Sequence, residues 1–133
     1  MAPRRVLIID DDRTLVTLMT ALLRKAGYQV LAAFDGASGF MVAQKERPDL
    51  ILLDLQMPAG GGEAVWKRLK GSAHTSGIPV VYVTATSTPG FAKEMEDQGA
   101  AGFIRKPFEP ENFAERVDEF FKRATGQQET IKE

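Results

Sequence analysis

The chain has 133 residues, 44% of them apolar, with a formal net charge of −1 and no cysteine. These values fit one folded domain with one core and argue against general disorder. They exclude disulfides and thiolate metal sites, and they leave no overall basic field to attract nucleic acid.

In chain order, "RVLII" (5–9) is the first predicted strand. The run is too short for a signal peptide and ends in acids, and no apolar run reaches membrane-spanning length, so a cytoplasmic protein is expected. "RTLVTLMTALLRKAG" then reads as a helix with Leu15, Leu18 and Leu22 on one stripe, Met19 and Leu23 beside it, and Gly27 at its C-terminal end. "YQVLAA" (28–33) is the second strand. Asp35 is the expected N-cap of a helix running to about Lys45 and ended by Pro48. "DLILL" (49–53) is nearly all apolar, the pattern of a strand covered on both faces. "GGEAVWKRLKG" is a short helix with Val65 and Leu69 on one side. "IPVVYVT" (78–84) is the fourth strand, with Pro79 at its beginning, where proline is tolerated. A weaker helix is expected from about Pro89 to Gln98, with Phe91 and Met95 four apart. "AGFI" (101–104) is a short fifth strand. "EPENFAERVDEFFKR" closes the fold with Phe113, Val117, Phe120 and Phe121 on one stripe. The tail "GQQETIKE" is polar and has no stripe.

Strands alternating with helices imply an α/β fold, a five-stranded parallel sheet with five helices on its two faces. Right-handed crossovers favour a doubly wound sheet of order 2-1-3-4-5. The polar residues gather at the strands' carboxyl ends. Strand one ends at Asp10, Asp11 and Asp12, strand three at Asp54, strand four at Thr84, and strand five leads into Arg105 and Lys106. In that order strands one and three are neighbours at the topological switch point, where open α/β sheets bind ligands. Asp10, Asp11 and Asp54 should therefore converge, with Thr84 and Lys106 reaching in. The plainer reading, that any one of these acids only caps a helix, stays open, above all for Asp11 and Asp12.

Carboxylates crowded together resist ionising beside one another, and a divalent cation removes that conflict. Oxygen-only ligation in a partly hydrated site suits Mg²⁺. Such a site fits phosphoryl transfer to a carboxylate. One carboxylate attacks phosphorus, and a metal, the Lys106 ammonium and the Thr84 hydroxyl oppose the charge on the equatorial oxygens. Ala85 is small and leaves an entry path.

These residues carry a resemblance to the receiver domain of two-component response regulators, of the chemotaxis-response-regulator type. The motifs are "IIDDD", "LILLDLQMP", "VVYVTA" and "GFIRKPF", with Gly62 eight residues after Asp54, and they span residues 4–124. The resemblance implies a flavodoxin-like receiver fold over 1–124, with 125–133 as a polar tail or the start of a linker. It implies Asp54 as phosphoacceptor. Asp10, Asp11, Asp54 and the backbone carbonyl of Gln56 would hold Mg²⁺. Lys106 would pair with the acids and the phosphoryl group, next to a cis Lys106–Pro107 bond. Thr84 and Phe103 would be the switch pair. The chain would catalyse its own phosphorylation and dephosphorylation without turning over a separate substrate. A histidine kinase or histidine phosphotransfer protein is the expected partner. An output protein or fused output domain and a phosphorylation-dependent homodimer are further expectations, with no direct nucleic acid and no membrane. The responding region would be helix four, strand five and helix five. There Gly90, read as lying inside helix four, would cost it about 1 kcal/mol relative to alanine.

The resemblance places Gln56 and Thr86 at positions that flank the site and vary within the family, and "PAGGG" after Met57 is unusually glycine-rich. It reads as a mobile loop, because no P-loop lysine follows. "AAGFIRKPF" lacks the charge pattern of the dimerising receivers of winged-helix transcription factors.

Asp10, Asp12 and Thr14 also spell D-x-D-x-T, which resembles the first motif of haloacid-dehalogenase-type phosphatases, with Asp10 as nucleophile and Asp12 as its acid–base partner. That reading needs acids at the end of another strand after the lysine, but Glu109 and Glu111 fall on the last helix. It also leaves Asp54 idle. A dinucleotide or flavin site would need glycines or hydroxyls at the first strand–helix turn, and "DDDRT" repels phosphate. His74, the single histidine, is expected in a solvated loop. Trp66 and Phe108 are expected to pack.

Overall fold

The computed structural model describes residues 3–57, 61–85 and 89–125. Its elements, in order, are β1 (Arg5–Ile9), α1 (Arg13–Lys25), β2 (Gln29–Ala33), α2 (Gly36–Glu46), β3 (Leu50–Leu53), α3 (Gly61–Lys70), β4 (Val80–Thr84), α4 (Phe91–Asp97), β5 (Gly102–Arg105) and α5 (Pro110–Thr125). The strands form one parallel sheet of order β2-β1-β3-β4-β5, the expected topology.

Two helical layers explain why the central strands are apolar at every position. Val6 and Ile8, Leu50 and Leu52, and Val81 and Val83 project toward α1 and α5. There they meet Val16, Met19 and Leu23 and the expected stripe Phe113, Val117, Phe120 and Phe121. Their alternates Leu7, Ile9, Ile51, Leu53, Val80 and Tyr82 project the other way, onto Ala43 of α2, Val65, Trp66 and Leu69 of α3, and Met95 of α4. Successive strand residues point to opposite faces, so a strand sandwiched between helices has no solvent side.

The helix ends follow local chemistry. The Asp12 side chain accepts the Leu15 N–H at 3.0 Å and starts α1. At the other end Gly27, at φ 100°, turns the chain so that its own N–H reaches the Arg24 carbonyl and the Tyr28 N–H reaches the Leu23 carbonyl. Asp35 caps α2 through the Ser38 N–H at 2.8 Å. That helix ends at left-handed Arg47 before Pro48.

Two expectations are corrected. In α1 the sheet-facing residues are Val16, Met19 and Leu23, while Leu18 is 39% exposed and Leu15 and Leu22 are half-buried. The Leu15–Leu18–Leu22 line runs along the helix's edge, and Leu15 and Leu18 border a groove formed with Lys106, Pro107 and Phe108. The second correction is to α4, which begins at Phe91 and not at Pro89. Gly90 is its N-cap at φ 82°, so this glycine is no interior weakness but the left-handed residue that turns the chain into the helix. The expectations for Thr86, for Pro58–Gly60 of the glycine-rich loop and for the tail 126–133 fall outside the described residues.

Candidate functional site

The carboxyl edge of the sheet is built by continuing the β-ladder one residue past the strands. The Asp10 N–H bonds the Ala33 carbonyl at 3.1 Å, and the Asp54 N–H bonds the Ile9 carbonyl at 3.0 Å. Both aspartates are thereby held against the core, 1% and 4% exposed, while Asp11 on the following turn faces solvent. One carboxylate oxygen from each of Asp10, Asp11 and Asp54 lies within 4.8 Å of the others.

Lys106 answers them from the opposite side. It stands one residue beyond β5, where its N–H bonds the Thr84 carbonyl at 3.0 Å. Its Nζ donates to Asp10 Oδ2 at 2.8 Å and lies 3.6 Å from Asp54 Oδ2. The Lys106–Pro107 bond is cis, as the motif implied. Phe108 then stacks on fully buried Phe113 at 4.5 Å, which fastens this loop to the core and bears out its expected packing role.

Each buried carboxylate also accepts a backbone N–H: Asp10 Oδ1 from Asp12 at 2.9 Å, and Asp54 Oδ1 from Gln56 at 3.2 Å. Burial pushes the Asp10 carboxyl above its ordinary range. The Lys106 hydrogen bond and the Asp12 N–H pull it back, and the Asp54 charge adds to the rise. Three carboxylates thus face one ammonium. The cluster offers only hard oxygen donors, carries more negative than positive charge, and has one solvent-facing member, Asp11, open to an incoming ion. These properties fit a hydrated divalent cation of the Mg²⁺ class.

The start of α3 presses on Asp54 from behind. Its Gly62 N–H bonds the Leu55 carbonyl at 3.0 Å, and a Cβ on Gly62 would lie 2.3 Å from the Asp54 carbonyl oxygen. Neighbouring Gly61 has φ 65°, and a Cβ there would meet the Leu55 carbonyl at 2.4 Å. The sequence placed Gly61 both in the glycine-rich stretch read as a mobile loop and at the start of the third helix; Gly61 and Gly62 belong to the helix, and the triple glycine was the signal of the close approach. Beside Asp11 a cavity of about 310 Å³ is floored by Phe34, Met57 and Val65 and rimmed by Arg68.

Of the other predicted residues, Thr84 is fully buried at the end of β4, with Arg105 as its register partner on β5. Half-buried Phe103 projects to the α3–α4 side. It meets Phe91 edge to face at 5.6 Å, and its carbonyl accepts Arg116 Nη2 at 3.0 Å. Gln56 lies beside Asp54 through its N–H. Trp66 is buried as expected, and His74 is exposed, with its Nδ1 2.8 Å from Arg47 Nη2. The D-x-D-x-T residues do not converge: Asp12 is spent on the α1 cap, and Thr14 is exposed on the first turn of that helix.

Comparison with known proteins agrees with this geometry. The family model of the response regulator receiver domain matches residues 6–118. Protein PilH of Pseudomonas aeruginosa is 36% identical over 114 residues, covering 86% of this chain and 94% of PilH. The DNA-binding dual master transcriptional regulator RpaA of Synechocystis is 39% identical over 119 residues, and the match takes in 49% of its length, so the chain spans about half of that relative. Among solved structures, the chemotaxis response regulator CheY4 of Vibrio cholerae superposes with a TM-score of 0.81 at 30% identity, over 89% of this chain and 98% of that one. A CheY-like receiver domain protein from Methanospirillum hungatei gives 0.82 at 25% identity. None of these supports the phosphatase alternative.

Proposed function

The chain belongs to the response regulator receiver family, the phosphorylation-activated switches of two-component signalling, and from that membership we propose that Asp54 is its phosphoacceptor. The observation that carries the assignment is the position of Asp54. It is a buried carboxylate 3.6 Å from the Lys106 ammonium, with an oxygen within 4.8 Å of oxygens from Asp10 and Asp11.

In the proposed reaction a histidine kinase or a histidine phosphotransfer protein presents a phosphohistidine. An Asp54 oxygen attacks phosphorus, the P–N bond breaks, and the imidazole departs with its electron pair, leaving an acyl phosphate on Asp54. Lys106, already bonded to Asp10, is within reach of the phosphoryl oxygens and opposes their charge. The Thr84 hydroxyl serves as a further donor. Backbone N–H bonds to Asp10 and Asp54 keep both carboxylates oriented beforehand, so little reorganisation falls on the transfer step. Asp10, Asp11, Asp54 and the Gln56 carbonyl are the proposed Mg²⁺ ligands, and bound there the ion would neutralise the crowded acids and the transferring group. The domain in this reading supplies its own catalysis of phosphorylation and dephosphorylation. Residues 1–124 form the receiver and 125–133 a tail or linker start.

The proposed output is a shift of Thr84 and Phe103 that changes the surface of α4, β5 and α5, read by an output protein, a fused output domain or a second copy of the chain. Cytoplasmic residence follows from the kinase partner. Among the described residues no helix is long and apolar enough to cross a membrane. The test is incubation with a small acyl phosphate and Mg²⁺, then mapping of the modified aspartate by mass spectrometry. Label on Asp54, lost in Asp54→Asn, is expected, and label on Asp10 would overturn the assignment.

A further inference from the structure

Four aromatic side chains lie on the face of the sheet covered by α3 and α4, as two ring pairs joined by the β4–β5 ladder. Trp66 of α3 is 9% exposed, and its ring centroid lies 5.7 Å from that of Tyr82 on β4. Tyr82, 1% exposed, is the register partner of Phe103 on β5, and both project to the same face. Phe103 meets Phe91, the first residue of α4, at 5.6 Å. Met95, one turn on, is buried in the same cluster.

The outer side of Trp66 is also held. The Lys70 ammonium sits 4.8 Å from its ring centroid while donating to the Ser76 carbonyl at 3.2 Å. Gly99, just past the end of α4, is close enough that a Cβ on it would stand 3.9 Å from Trp66 Cζ2. Trp66 therefore touches both Tyr82 and the turn that closes α4.

Interiors packed to crystal-like density do not deform smoothly. A ring that changes place must displace its neighbours or leave a void. Phe103 and Phe91 are half-buried and have solvent on one side, whereas Tyr82 is enclosed. Phe103 and Tyr82 are ladder neighbours on one face of the sheet, so a rearrangement of Phe103 would act on the Tyr82 side chain, whose ring centroid lies 5.7 Å from that of Trp66.

We propose that Trp66, Tyr82, Phe103 and Phe91 form one coupled unit. In it Tyr82 and Trp66 are positioning residues that set the resting place of Phe103 and carry its rearrangement to α3. What drives Phe103 rests on the phosphorylation reading above. The coupling itself belongs to the resting protein.

Trp66 is the only tryptophan, so 5-fluorotryptophan labelling gives a single ¹⁹F resonance. In the resting protein, Phe103→Leu should shift that resonance, and in a Tyr82→Leu background the same change should leave it in place. Tyr82→Phe, which keeps the ring, should preserve the shift. Tyr82→Met takes the place of Tyr82→Leu if the latter does not fold. An unmoved resonance in Phe103→Leu, or an equal shift with and without the Tyr82 ring, overturns the proposal, since aromatics that merely fill the core respond locally. A second arm adds a small acyl phosphate and Mg²⁺ and follows intact mass alongside the resonance. Protein phosphorylated on Asp54 with Trp66 unmoved overturns the relay and spares the phosphorylation reading. Protein that takes up no phosphoryl group but keeps the Tyr82-dependent shift does the reverse.

Discussion

Lys106 carries two jobs through one ammonium. It neutralises Asp10 and stands near Asp54, and both carboxylates are buried where an unopposed charge is costly. Replacing it with methionine keeps much of the stem's packing and removes the charge. Breaking a fully buried pair costs about 3–5 kcal/mol. The Lys106 side chain is 18% exposed, so solvent screening lowers the expected loss to about 2 kcal/mol by denaturant unfolding at neutral pH without metal. The helix caps offer a second check at this scale. The Ser38 backbone N–H holds the Asp35 carboxyl below its ordinary value of 3.8. A depressed folded value means stability present above pH 3.8 and lost as pH falls through the folded value. Asp35→Asn keeps an oxygen for the cap bond but does not titrate, so the acid limb of its unfolding curve should be shallower than the parent's. The Asp35 cap was legible in the sequence, because an aspartate before an apolar-periodic run is a common N-cap, whereas Asp12, one of three adjacent acids, was open to other uses. The ion pairs of Lys106 were legible only as a convergence of strand ends, since 96 residues separate it from Asp10.

Among the elements, α4 departs most from its sequence signal. A seven-residue helix has too few periodic positions to mark its own start, and "PG" before Phe91 reads equally as a first turn or a cap. The sign of one substitution separates the two. Inside a helix, Gly90→Ala would stabilise by about 1 kcal/mol. At φ 82° alanine must adopt a left-handed conformation, so a loss of about 1 kcal/mol is expected, with faster amide exchange over α4. In α1 two stripes one position apart, Leu15–Leu18–Leu22 and Val16–Met19–Leu23, are both apolar. Periodicity alone does not choose between them. The choice is made by which stripe the sheet covers fully; of the other, Leu15 and Leu22 pack at the core's margin, and Leu15 and Leu18 border the groove at Lys106, Pro107 and Phe108.

At the scale of the whole molecule, the fold brings Asp10, Asp11 and Asp54 together around the Lys106 ammonium, a cluster of carboxylates that exists only in the folded chain. An ion that binds only the folded form stabilises it by mass action, about 2.7 kcal/mol at a hundredfold excess over its dissociation constant. Thermal unfolding should therefore shift upward with added Mg²⁺ and return with chelator. Asp11→Asn, which leaves the buried pair with Lys106 intact, should remove most of that shift. A parent protein whose midpoint ignores Mg²⁺ would count against the metal assignment.

By itself the sequence determined the alternation of strands and helices, the parallel doubly wound class with 2-1-3-4-5 as its favoured order, the cap at Asp35 with Asp12 as a candidate for the first helix, and the set of polar residues at the carboxyl edge. These follow from local periodicity and short-range backbone chemistry, which need no distant neighbour. Only the tertiary structure decided which α1 stripe is buried, that Gly90 lies outside α4, that Gly61 and Gly62 let α3 close onto the Asp54 backbone, and that Trp66, Tyr82, Phe103 and Phe91 lie on one face of the sheet. Each of these depends on what another element places opposite, and residues far apart in the chain carry no mark of that meeting until the layers pack.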